Sequence, residues 1–183
     1  KIKTLGNPTE AALHMWLHES GINYLDIREN AKIVDQLTFS TERKFMGTVA
    51  ISPSTGRRML YVKGAPEIVA AKCTDVPAGT DEKLLGYQNR AMRTLAFACA
   101  EVREDDERSV EKMASGGLTF LGIVAISDRV RDDVPDAVAR CLRAGIDVKI
   151  VTGDTLGTAK ELGRQIGILK ESDPAEAIIT GVE

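Results

Sequence analysis

The chain has 183 residues, 43% of them apolar and 28% charged, with 24 basic against 27 acidic side chains and a formal net charge of −3. That length allows one large domain or a domain plus part of another, and that composition excludes a disordered or collagen-like chain. The acidic balance also argues against a domain that holds nucleic acid by counterion release, so no nucleic-acid partner is expected.

In chain order, Thr9 stands before an amphipathic stretch whose Leu13, Trp16 and Leu17 share a face, and Gly21 closes it, which predicts a helix. Lys32 to Phe39 and Lys44 to Ser52 carry β-branched residues at strand spacing. Pro53-Ser54-Thr55-Gly56 signals a turn, and Arg58 to Lys63 is the returning strand of an antiparallel hairpin. Pro66 opens a short helix to about Cys73, Asp81 to Met92 is a further helix, and Thr94 to Arg103 is a strand. The charge-rich Glu104 to Lys112 reads as a solvated helix or loop, and Leu118 to Ser127 as a nearly continuous apolar strand. Val134, Ala137, Val138, Cys141 and Leu142 recur at helical spacing, with Gly145 as the stop. Asp147 to Val151 reads as a short buried strand with Thr152-Gly153-Asp154 at its carboxyl end, and a helix follows over about Leu156 to Ile166. This strand–helix–strand–helix order implies a parallel crossover unit. A boundary is therefore placed near residue 126, with antiparallel α+β structure before it and part of an α/β domain after it.

Cys73, Cys99 and Cys141 are odd in number, far apart and free of any CxxC pair. Neither a disulfide framework nor a zinc site is expected, and a reducing compartment fits. The longest nearly apolar run, Leu118 to Ile126, falls short of the ~20 residues a membrane span needs. No signal peptide opens the chain and its first residue is lysine, so the sequence reads as a piece of something longer.

Three segments carry candidate chemistry. In Lys63-Gly64-Ala65-Pro66-Glu67 a lysine ends a strand, glycine permits close backbone approach and proline starts a helix. That geometry meets an anion, although a surface lysine before a turn has the same pattern. In Phe39-Ser40-Thr41-Glu42-Arg43-Lys44 an aromatic followed by cations suits a stacked base and a phosphate, or else a core phenylalanine with two solvated cations. Thr152-Gly153-Asp154 at a strand's carboxyl end suits phosphate with a divalent metal, or a turn that caps the next helix. His14 and His18 have the i, i+4 spacing of a zinc protease, but Met15 stands where the catalytic glutamate belongs, and no metal ligands are assigned. There is no GxxxxGK[ST] loop.

Taken together and in order, these segments resemble the cytosolic nucleotide-binding region of P-type cation-transporting ATPases of the calcium-pump-like class. Gly6-Asn7-Pro8-Thr9-Glu10 is similar to the family's Gly-x-x-Thr-Glu segment, and Phe39-Ser40 with Arg43-Lys44 and Met46 to its Phe-Ser-x-x-Arg-Lys-x-Met segment. Lys63 to Glu67 matches Lys-Gly-Ala-Pro-Glu in full, Arg93-Thr94-Leu95-Ala96 resembles Arg-x-Leu-Ala, and Thr152-Gly153-Asp154 matches the Thr-Gly-Asp loop. Two departures stand out. Asp128-Arg129-Val130-Arg131 replaces Asp-Pro-Pro-Arg, and neither the Asp-Lys-Thr-Gly-Thr segment with the nucleophilic aspartate nor the Gly-Asp-Gly-x-Asn-Asp metal segment is present.

The resemblance implies a nucleotide-binding domain at residues 1–126, an antiparallel sheet flanked by helices, and a partial, haloacid-dehalogenase-like phosphorylation domain at 127–183. It implies ATP, as Mg-ATP with Mg2+, at Phe39 (stacked on adenine), Glu10 (at the adenine edge), Lys44, Lys63 and Gly64 (around the adenosine) and Arg93 (toward the β-phosphate). Thr152, Gly153 and Asp154 would support the transferred phosphoryl group. The implied partners are the pump's actuator domain, the rest of its phosphorylation domain and its membrane helices, at the cytoplasmic face of a membrane. The chain alone is expected to bind ATP and catalyse nothing. A stand-alone nucleotide-sensing or interaction module reusing the fold is the alternative.

Overall fold

The computed structural model describes residues 7–90, 92–127, 130–153 and 156–179. Gly6, Asp128, Arg129 and Asp154, on which parts of the sequence reading rest, lie outside them. The chain divides into two units, Lys1–Leu84 with Thr94–Ile126, and Leu85–Arg93 with Ser127–Glu183.

The first unit opens with α1 (Pro8–Glu19) and α2 (Tyr24–Asn30). Asn7, not Thr9, caps α1: its Oδ1 accepts the Thr9 N–H at 2.9 Å, and Pro8 supplies a pre-set φ at the first helical position. Gly21, at φ 75°, ends the helix as the sequence predicts, with the Ile22 N–H donated back to the Leu17 carbonyl. Helix α2 carries no apolar period strong enough to mark it, and it is held at its start by the Asn23 side chain.

Strands β1 (Lys32–Leu37), β2 (Phe45–Ile51), β3 (Arg58–Gly64), β4 (Arg93–Glu101) and β5 (Thr119–Ile126) form one sheet in that spatial order, and β1 to β4 pair antiparallel. Alternation fixes the faces. Phe45, Gly47 and Val49 stand opposite Gly64, Val62 and Leu60, and that row of positions continues onto Ala96 and Ala98. All eight residues are buried. Helices α3 (Pro66–Ala70) and α5 (Val110–Met113) bring Val69, Val110 and Met113 to the same core. The approach of α5 is close: a Cβ on Gly47 would lie 2.9 Å from Val110 Cγ1. Each buried aliphatic side chain here contributes roughly 1.5–3 kcal/mol.

The Glu104–Lys112 stretch is therefore only partly the solvated segment expected. Val110 and Met113 are 4% and 7% exposed, a single apolar turn hidden in a charged run. Ahead of it, the Asp106 carboxylate accepts from the Arg108 backbone N–H at 3.0 Å and from its Nη2 at 2.6 Å, which holds the Asp106 carboxyl down to about 2. Leu118, fully buried, anchors the start of β5: its N–H donates to Lys72 O and its carbonyl accepts the Thr74 N–H, both at 3.0 Å.

Helix α4 (Thr80–Asn89) runs from the first unit into the second. The second unit also holds α6 (Val134–Arg143), α7 (Leu156–Gln165) and a short 3-10 turn at Ala175–Ala177. Gly145 and Gly167, at φ 75° and 78°, end α6 and α7. The strand expected at Asp147–Val151 is absent: the segment is irregular and Val151 is 97% exposed. A parallel strand needs neighbours for its N–H and C=O groups. The apolar run that the element order offered as its partner is instead β5, engaged in the antiparallel sheet of the first unit. Among the described residues after 126 there is no strand, so the haloacid-dehalogenase-like sheet is not seen here.

Candidate functional site

Because β2 begins where the antiparallel β3 ends, the two lysine-bearing motifs meet at one end of the sheet, Met46 opposite Lys63 and Phe45 opposite Gly64. The pairing continues past the strands, with the Ala65 N–H donated to the Lys44 carbonyl at 2.9 Å. Lys44 is the non-glycine residue with a left-handed backbone, φ 57°, among those described. That conformation costs a side-chain-bearing residue roughly 1–2 kcal/mol. Gly64 is required by the same approach: a Cβ there would lie 2.5 Å from both Lys44 O and Phe45 Cβ. What Gly64 admits is thus the neighbouring strand's backbone.

Met46, Lys63 and Phe97 form a row across β2, β3 and β4 on the face opposite the core. On that face Lys63 Nζ pairs with Glu10 Oε1 at 3.2 Å, joining α1 to β3 across 53 residues of sequence. The lysine side chain is 25% exposed and the glutamate 54%. The pair lies at a cavity of about 600 Å³. Its apolar walls are Leu13, Trp16 and Leu17 of α1, Phe97 of β4 and the β5 segment from Leu121 to Val124; His14 adds the remaining polar side chain. The His14 ring rests against Tyr24, with centroids 4.0 Å apart, and so ties α1 to α2. A carboxylate beside an ammonium in the lining of a largely apolar cavity offers an acceptor and a donor to a flat heterocycle.

Phe39 and Lys44 sit on the loop between β1 and β2, and both are exposed, Phe39 at 57%. Neither lines the cavity. The loop is held by its own residues: the Lys44 N–H donates to Ser40 O at 2.8 Å, and the Arg43 N–H to Ser40 Oγ at 3.1 Å. Arg43 Nη2 donates to Thr38 O at 2.9 Å. Arg43 is thus not the freely solvated cation of the sequence reading. Arg93 is exposed, opens β4 and belongs to the second unit. Thr152 and Gly153 are exposed in the irregular segment before α7, also in the second unit, and Asp154 is not described.

The structure therefore brings together Glu10, Lys63, Gly64 and the Lys44 backbone. Sequence reasoning missed Phe97 as a wall of the cavity, although the large–small alternation of Leu95-Ala96-Phe97-Ala98 marks one face of a strand. It placed Trp16 on a helix face without giving that face anything to line. Among the described residues no three His, Cys, Asp or Glu side chains converge as metal ligands.

Residues 1–133 match the family model described as P-type ATPase, cytoplasmic domain N. The chain belongs to that family. It is 39% identical over 185 residues to Calcium-transporting ATPase 10, plasma membrane-type, of Oryza sativa subsp. japonica, an alignment covering 93% of this chain and 18% of that protein. It is 31% identical over 192 residues to Plasma membrane calcium-transporting ATPase 3 of Homo sapiens (93% and 16% covered) and, over as many residues, to Calcium-transporting ATPase 1 of Lactococcus lactis (98% and 21%). The chain thus spans about a fifth of the length of these relatives. Among the described residues no helix is long and apolar enough to cross a membrane.

Proposed function

We propose that this chain is the ATP-binding cytosolic portion of a P-type cation pump, which presents Mg-ATP to an aspartate that the chain does not contain. The observation that carries the reading is the Glu10–Lys63 pair, 3.2 Å apart in the lining of a largely apolar cavity, with the Phe39 loop tied to the residue after Gly64. An exocyclic amino group of adenine donates to Glu10, Lys63 donates to a ring nitrogen or a phosphate oxygen, and Phe39 stacks on the base. Base–aromatic stacking is worth about 1–3 kcal/mol. Lys44 lines the adenosine site from the same loop. Mg2+ would come as part of the Mg-ATP substrate and would supply neutralisation of the phosphate charge.

Residues 127–183 are read as part of the phosphorylation domain, in which Thr152 and Gly153, with Asp154, steady the phosphoryl group during in-line transfer. Calcium is the proposed cargo, because the relatives carry calcium transport in their names. The work then takes place at the cytoplasmic face of a membrane.

Calorimetric titration with Mg-ATP tests this. Saturable, one-to-one binding is expected, with no phosphate left on the protein after incubation with γ-labelled Mg-ATP. A folded chain that shows no ATP binding, or label on an aspartate of this chain, contradicts the reading.

A further inference from the structure

Phe39 stands on a loop and is 57% exposed, so core packing does not set its direction. A ring that must stack on a base gains affinity if its loop is ordered before the base arrives, because ordering upon binding subtracts from affinity. Arg43 supplies that order. Its Nη2 donates at 2.9 Å to the carbonyl of Thr38, the residue before Phe39, and so fixes the peptide from which the ring departs. Its own N–H is held by Ser40 Oγ at 3.1 Å. Its Nε is enclosed, without a hydrogen-bond partner, and lies 4.0 Å from Glu111 Oε1 on α5. Helix α5 is in turn seated in the core by Val110 and Met113. A planar guanidinium with several donors can span the Thr38 carbonyl and the Glu111 carboxylate at once, whereas an ammonium acts as a single point charge.

We propose that Arg43, braced by Glu111, is a positioning residue that pre-organises the Phe39 loop for base stacking without itself touching the nucleotide. This rests on the reading that Phe39 stacks on the base. It gives the charged segment before β5 a function: through Glu111 of α5 it supports the loop that joins β1 to β2.

The test is a double-mutant cycle on ATP affinity with Arg43→Gln, Phe39→Ala and the pair, each checked for an intact amide spectrum of β2 to β4. Arg43→Gln is expected to weaken ATP binding about three- to tenfold in the wild-type background, the worth of one ordered side chain. On the Phe39→Ala background the same change should cost less than twofold. Arg43→Lys should not rescue, and Glu111→Gln, which leaves the Thr38 contact in place, should weaken binding about twofold. Equal losses in both backgrounds mean that Arg43 touches the nucleotide, which overturns the proposal. If Phe39→Ala weakens ATP binding while neither Arg43→Gln nor Glu111→Gln does, the positioning role fails alone. If Phe39→Ala has no effect, the stacking reading itself fails, and the positioning role with it. Should Arg43→Gln not fold, the cycle is run with Glu111→Gln.

Discussion

Gly64 and Lys44 show how much of the candidate site is backbone geometry. A methyl group on Gly64 would meet main-chain atoms and a Cβ at 2.5 Å, none of which can rotate away. Gly64→Ala is therefore expected to destabilise the chain by about 1–3 kcal/mol, the cost of overpacking, read as a lowered urea midpoint. An unchanged midpoint would mean that β2 and β3 separate freely there. Lys44 has the opposite character. Its left-handed φ of 57° is one glycine adopts without penalty, yet the position carries an ammonium. Lys44→Gly is expected to leave stability unchanged or slightly raised, within about 1 kcal/mol, because relief of strain offsets the added backbone entropy. ATP affinity in that variant should fall several-fold; an unaltered affinity would make Lys44 a turn residue only. The residue types were legible from sequence, because Lys-Gly-Ala-Pro-Glu is read directly. What glycine admits was not, since a close approach between residues on two strands requires their register.

Most elements follow from local pattern. Asn7-Pro8 and Gly21 bracket α1, the turn at Pro53 to Gly56 joins β2 to β3, and alternation sets the faces of the sheet. The burial of α5 escaped, though a solvated helix or loop was expected there, because one apolar turn cannot overcome a charged background in a window average. The Asp147–Val151 segment was misread for a different reason: an apolar run has strand character only if a neighbour takes its hydrogen bonds. The lead-in to α5 carries a prediction at this scale. Hydrogen bonds from Arg108 hold the Asp106 carboxyl at about 2, below its ordinary 3.8. A depressed carboxyl stabilises the fold above its unfolded value, and that contribution is lost as pH falls through the folded value. NMR titration of Asp106 should give a midpoint near 2, with the amides of α5 shifting in step below pH 3.8. A midpoint at the ordinary value would show that the loop is not held as described.

At the scale of the molecule, the two units differ in how much they bury. The principal core, Phe45 through Leu118, lies in the first unit. Among the described residues after 126, only Val138, Gly163 and Ile166 are buried. Local opening follows buried contacts, so the amides of β2, β3 and β4 should exchange with solvent at least about tenfold more slowly than those of α6 and α7. Uniform protection across both units would contradict this. The β2–β3 hairpin was legible because a recognisable turn joins its strands, whereas β5 was read as the first strand of the parallel unit and its place in the antiparallel sheet was not legible. The second unit was also less legible, because its expected strand order depends on partners that local sequence does not specify.

The central claim is that ATP binds where the Glu10–Lys63 pair and the Phe39 loop meet the end of β3. An NMR-monitored ATP titration of the chain, with Phe39→Ala and Lys63→Ala run beside it, tests this most directly. The account predicts saturable shifts centred on Glu10, Phe39, Lys44 and Lys63, with affinity reduced about tenfold or more in each variant. Shifts elsewhere, or equal affinity in all three proteins, would contradict it.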